Sequence, residues 1–127
     1  MSTPEPRLLA DTTLLVDLLR GRAEALEYLA GRTERVSISA LVVAELFAGV
    51  RPADELAVNR LLTLFDVFPV SPRSAQLGGV YRRRYGPTHG TSLIDALIAA
   101  TAQIHGCRLV THNRRHFPMM DDVIVPY

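Results

Sequence analysis

Residues 91–111, TSLIDALIAATAQIHGCRLVT, read as one helix followed at once by one strand. Ser92 stands three residues before Asp95, the spacing of a capping box. Leu, Ile and Ala then dominate as far as Gly106, and Arg108–Thr111 is a short apolar run of strand type. A helix feeding a buried strand is the unit from which parallel sheets are built. Asp95 is the exception within it. An ionised carboxylate among apolar neighbours is costly unless a cation, a donor or water meets it, so the chain must supply one of these.

Outward from this unit the same alternation continues. Strands are expected at Arg7–Thr12, Val36–Ser39, Val67–Val70 and Val123–Val125, with Pro69 placing the third toward a sheet edge. After the first strand a threonine is expected to cap a helix with the stripe Leu14, Leu15, Leu18 and Leu19, ended by Gly21. Helices follow at Ala23–Ala30, at Ala40–Val50 with Ser39 as N-cap, and at Ala53–Leu64 after Pro52. Ser71-Pro72 opens another helix that runs through Tyr81 to Tyr85, YGPTHGTS reads as a loop, and Asn113–Phe117 reads as a turn or short helix. The pattern predicts an α/β sandwich around a mainly parallel sheet of about five strands flanked by helices.

The chain of 127 residues fits one domain, with residues 1–6 as a flexible Pro-rich tail. No apolar run approaches the roughly 18 residues of a membrane span, and the N-terminus lacks the form of a signal peptide, so a soluble, cytoplasmic protein is expected. The single cysteine, Cys107, reads as a small core residue. Net charge is only +1, and all 14 basic residues are arginine. The absence of lysine excludes lysine-dependent mechanisms.

In a parallel α/β sheet, the helices on both sides of a strand's carboxyl end begin or pass at that edge, and ligands bind there. Asp11 ends strand one, Glu45 lies on the helix leaving strand two, Asp95 is in the first turn of the helix feeding strand four, and Asn113 lies just past strand four. Each has a plain structural alternative: Asp11 as an N-cap, Glu45 as a solvent-facing helix residue, Asp95 as a capping-box carboxylate. Three carboxylates at one edge repel one another unless a cation sits among them. An all-oxygen set suits Mg²⁺ or Mn²⁺, and no Cys/His group has zinc spacing. His89, His112 and His116 read as loop or surface residues, with substrate contact by His89 or His116 as the alternative. Thr13 stands where a haloacid-dehalogenase-type phosphatase needs a second Asp, and a receiver domain needs a lysine. DTTLLVD carries no Gly-rich dinucleotide turn, and no Gly-x-Ser-x-Gly elbow occurs. Metal-assisted phosphodiester hydrolysis remains.

The segments LLADTTLLVDLLRG, SISALVVAELFAGV and SLIDALIAATAQIHGCRLVTHNRRHF resemble, in order and spacing, a PIN-domain ribonuclease, most closely the VapC-type toxins of toxin–antitoxin pairs. The resemblance runs from Leu8 to Tyr127 and implies a PIN-like three-layer sandwich. It implies that Asp11, Glu45 and Asp95 bind Mg²⁺ or Mn²⁺, that Asn113 holds the fourth acidic position as an uncharged amide, and that Thr13 is a polar neighbour. Asp121 and Asp122 are weak substitutes for Asn113, and Asp17 reads as an outer residue. The implied activity is RNA cleavage leaving a 5′-phosphate and a 3′-hydroxyl, with Glu45 accepting the proton of the attacking water. Arg82, Arg83 and Arg84 beside Tyr81 and Tyr85, with Arg114 and Arg115, are candidates to hold single-stranded RNA. Implied partners are a second copy of the chain and a VapB-type antitoxin, for which Leu56–Phe68 is a candidate surface. The alternatives are a catalytically silent PIN module that binds RNA or a protein, and a structure-specific DNA nuclease.

Overall fold

The computed structural model describes residues 7–127; the expected tail at 1–6 lies outside them. Four strands, β1 (Leu8–Ala10), β2 (Ser37–Ser39), β3 (Asp66–Phe68) and β4 (Arg108–Val110), pair in the order β3-β2-β1-β4, all parallel. The helices are α1 (Thr12–Leu19), α2 (Ala23–Ala30), α3 (Ala40–Gly49), α4 (Glu55–Leu62), α5 (Pro72–His89) and α6 (Leu93–Ile104). From β1 the chain moves one way to β2 and β3, then crosses back to β4. With right-handed crossovers, that reversal puts α1–α4 on one face and α5–α6 on the other, which gives the three layers. The packing agrees: α1 touches α2, α3 and α4, whereas α5 packs on α6.

Leu9, Ile38 and Leu109 from the strands are fully buried, with Leu14, Leu15 and Val42 on one side and Ile98, Ala99 and Ala102 on the other. Burying each such Leu or Ile stabilises by roughly 1.5–3 kcal/mol before entropy is counted. The α5–α6 contact is close because Gly78 has no side chain: a Cβ there would lie 2.5 Å from Leu97 Cδ2.

Several expected details differ. Asp11, not a threonine, caps α1, its carboxylate accepting from the Thr13 N–H at 3.1 Å. The strand ends at Ala10, two residues earlier than expected, and an ionised oxygen is the stronger acceptor at a helix N-terminus. The helix expected from Ala53 begins as a 3₁₀ turn, Pro52–Asp54, before α4. YGPTHGTS is not a loop, because α5 continues to His89 with Pro87 inside it. Pro87 has no N–H to give the Arg83 carbonyl, so the last turn lacks that bond, and Gly90 closes the turn at φ +66 by donating its N–H to Gly86 O. The expected last strand, Val123–Val125, is reduced to one parallel bridge between Val110 and Ile124. Pro126 has no N–H with which to extend it.

Candidate active site at the carboxyl edge of the sheet

The strand order reverses between β1 and β4, and the crevice outside that switch point is where open α/β sheets take ligands. Asp11 follows β1 there and is 4% exposed. Its Oδ1 accepts from the Thr13 hydroxyl at 2.6 Å and from the Thr13 backbone N–H, while Oδ2 accepts from the Thr111 hydroxyl just past β4. Thr111 Oγ1 in turn accepts the Asn113 N–H at 3.0 Å. The two strand ends are thus tied through one carboxylate. Three donors leave it one free lone-pair direction of about four.

Glu45 reaches back from the second turn of α3, and the Thr12 hydroxyl donates to its Oε1. This places Glu45 one residue from Asp11 rather than in solvent. Asp95 is in the first turn of α6, capped by Ser92, whose Oγ accepts the Asp95 N–H at 3.0 Å. Burial pushes the Asp95 carboxyl above its ordinary range, and the charge of Asp11 adds to this. Ser92 and His116 pull the other way. His116 Nδ1 lies 3.4 Å from Asp95 Oδ2, and its carbonyl is fixed by the Thr91 hydroxyl at 2.8 Å. Thr12 and Thr111 are contributors that the sequence reading did not single out, and His116, read there as a loop residue or a substrate contact, lies against Asp95 instead. Only the hydroxyls flanking Asp11 and the RRHF turn hinted at them.

Among the described residues, no three His, Cys, Asp or Glu side chains form a closed metal-binding group. Asp95 is electrostatically coupled to Asp11, and Glu45 is bonded to Thr12, the neighbour of Asp11 in the chain. Thr13 is in place, with its hydroxyl donated to Asp11. Asn113 is exposed, beside the exposed Arg114 and Arg115, and Arg82, Arg83 and Arg84 are exposed on α5. Asp122 is drawn away to Arg108, 2.8 Å off at the amino end of β4. Asp17 accepts from the Tyr127 hydroxyl at 2.6 Å and pairs with Arg22 at 3.3 Å, both away from the rim. Cys107 is buried, which pushes its thiol up and leaves it inert. The Leu56–Phe68 stretch divides: Val58 and Phe65 are core, whereas Leu56, Leu64 and Val67 are about half exposed.

The PIN domain family model matches residues 8–122. Ribonuclease VapC19 of Mycobacterium tuberculosis is 41% identical over 123 residues, covering 94% of this chain and 98% of that protein. The chain belongs to the PIN-domain VapC ribonucleases. VapC10 of the same organism is 37% identical, covering 94% of this chain and 92% of its own length. Among solved structures, a toxin–antitoxin complex from Klebsiella pneumoniae superposes with a TM-score of 0.82 at 30% identity, covering 94% of this chain and 98% of its own. Within this VapC fold, no helix of the described residues is long and apolar enough to cross a membrane.

Proposed function

We propose that the chain is a divalent-metal-dependent endoribonuclease, the toxin of a toxin–antitoxin pair, cleaving RNA at the rim of Asp11, Glu45, Asp95 and Asn113. One observation carries the reading. A buried carboxylate, Asp11, is fixed by hydroxyls from both sides of the switch point, with a second, electrostatically coupled carboxylate, Asp95, beside it. Such a pair is unfavourable alone and suits a hard cation.

The oxygen-only donor set fits Mg²⁺ or Mn²⁺, with Asp11 and Asp95 as ligands and Glu45 at the edge. When bound, that ion supplies a Lewis acid for the scissile phosphate and a water of lowered pKa. The protein's own groups do the rest. Thr13 and Thr111 hold Asp11 in one orientation, so it need not reorganise during the reaction. Glu45, anchored by Thr12, accepts the proton of the attacking water. Asn113 offers an amide without charge where the three carboxylates carry one each. Arg114 and Arg115 sit beside it to meet phosphate. Water rather than the 2′-hydroxyl attacks, and the product carries a 5′-phosphate.

The VapC relatives and the Klebsiella complex support an antitoxin partner, and the half-exposed Leu56, Leu64 and Val67 offer it an apolar surface. A second copy of the chain is the other partner we expect. The test is cleavage of a mixed RNA pool with end-group analysis. The reading predicts 5′-phosphate ends in Mg²⁺ or Mn²⁺ and none in EDTA. RNA binding without cleavage under any metal would make the chain a silent module instead.

A further inference from the structure

Helix α5 outruns its partner. Its close contact with α6 is at Gly78 and Leu97, and the two helices form a hairpin joined by the short link Gly90–Ser92. At 1.5 Å per residue, α5 extends about 16 Å past Gly78, while α6 begins only about 6 Å before Leu97. By length, the last two turns of α5 therefore extend beyond the start of α6, the end of that helix at which Asp95 lies. The packing agrees, since Tyr81 touches the core, whereas Tyr85 and His89 are half-buried outside it.

This overhang has a chemistry of its own. Tyr81, Tyr85 and His89 recur every fourth residue, with ring centroids 6.3 Å apart at 53° and then 6.0 Å apart at 77°. Rings tilted in this way meet edge to face and do not stack in parallel, and Tyr85 and His89 are partly exposed. Arg82, Arg83 and Arg84 run alongside, all exposed, and among the described residues no carboxylate pairs with them. The whole of α5, PRSAQLGGVYRRRYGPTH, contains four arginines and no acid, in a chain whose net charge is only +1. Gly86 adds a detail: a Cβ there would lie 1.7 Å from Arg82 Nη1, so the guanidinium rests across the bare backbone of the next turn. The series continues to the rim, because the Cβ position of Gly90 is 4.0 Å from His116 Nε2 and His116 is 3.4 Å from Asp95.

We infer that the overhanging end of α5 is a track for single-stranded RNA, on which bases stack against Tyr85 and His89 while Arg82, Arg83 and Arg84 hold the phosphates, delivering the strand to the acidic rim. The inference rests on reading that rim as the cleavage site. Single strands are favoured over duplex because only splayed bases offer their faces to side-chain rings. The cationic helix also answers the repulsion that an acidic rim exerts on RNA.

Fluorescence anisotropy of a labelled, mixed-sequence oligoribonucleotide, single-stranded and as its duplex, tests this with the purified full-length chain in EDTA. Tyr85→Leu weakens single-strand binding about tenfold, Tyr85→Phe restores it, and duplex binding is weak throughout. Replacing Arg82, Arg83 and Arg84 together by Gln lowers the salt slope of log K by roughly 2. Single-strand binding unchanged in the Leu and Gln variants overturns the track, even if the face then takes a protein partner. The two readings separate cleanly. Tyr85-dependent binding with no cleavage in any metal keeps the track and removes the nuclease, whereas cleavage with Tyr85-independent binding does the reverse.

Discussion

Thr111 donates its hydroxyl to Asp11 across a sequence separation of 100 residues, so the ends of β4 and β1 are joined through a side chain at the site itself. Thr111→Val keeps the shape and removes the donor. It also leaves the Asn113 N–H without its acceptor. Loss of such an outer support typically costs 10–100-fold, so we expect kcat to fall roughly tenfold or more, with Thr111→Ser close to wild type. Steady-state kinetics on a defined RNA substrate reads this. Equal rates for the Val and Ser variants would show that the bond does not orient Asp11.

Asp95 makes a prediction with a definite sign. Because burial raises its carboxyl above the ordinary value, the folded chain binds that proton more tightly than the unfolded chain does. The ionised form therefore costs stability at neutral pH. That cost disappears as pH falls below the unfolded value of about 4. Without metal at pH 7, Asp95→Asn should melt at the wild-type temperature or a few degrees above it, and the difference should shrink toward pH 4. Mg²⁺ should then stabilise wild type more than the variant. A lower melting temperature for the variant in EDTA would mean that Asp95 acts mainly as a helix-capping charge.

The adjacent glycines of α5 should respond oppositely to the same change. A Cβ at Gly78 meets Leu97 side chain at 2.5 Å and backbone at 3.1 Å, while at Gly79 nothing lies within 4 Å. Gly78→Ala should cost about 1–3 kcal/mol by forcing α5 from α6. Gly79→Ala should gain about 0.5–1 kcal/mol from helix propensity alone. Urea unfolding midpoints decide both signs.

Tyr127 fastens the end of the chain to α1. Its hydroxyl donates to Asp17, its ring lies under the Arg22 guanidinium at 4.9 Å and packs on His112 at 4.5 Å, and burial pushes its phenol up. Tyr127→Phe keeps both ring contacts and should cost about 1 kcal/mol, read as a urea midpoint. No change would show that the ring alone holds the C-terminal segment.

What the sequence made legible follows from which signals are local. Apolar strand cores, Ser39 and Ser92 as caps and the Pro69-marked edge strand are written in short windows, and the structure has all of them. The end of α5 was not legible, because Gly86 and Pro87 are loop signals that helix continuation and the Gly90 cap override. The final strand failed for a related reason: its apolar run is real, but Pro126 and the short reach of β4 leave a single bridge. At the site, topology brought Asp11, Glu45, Asp95 and Asn113 toward one edge. The hydroxyls of Thr12 and Thr111 that hold two of the carboxylates are long-range pairings, visible only in three dimensions.

The most direct measurement compares RNA cleavage by wild type, Asp11→Asn and Asp95→Asn, in Mg²⁺ and in EDTA, with melting temperatures recorded alongside. Asn is itself a good N-cap, so Asp11→Asn preserves the start of α1 while removing the charge. The account predicts cleavage by wild type in Mg²⁺, none in EDTA, and losses of about 100-fold or more in both variants, with the fold retained. Cleavage that persists in EDTA, or that survives in both folded variants, would contradict it.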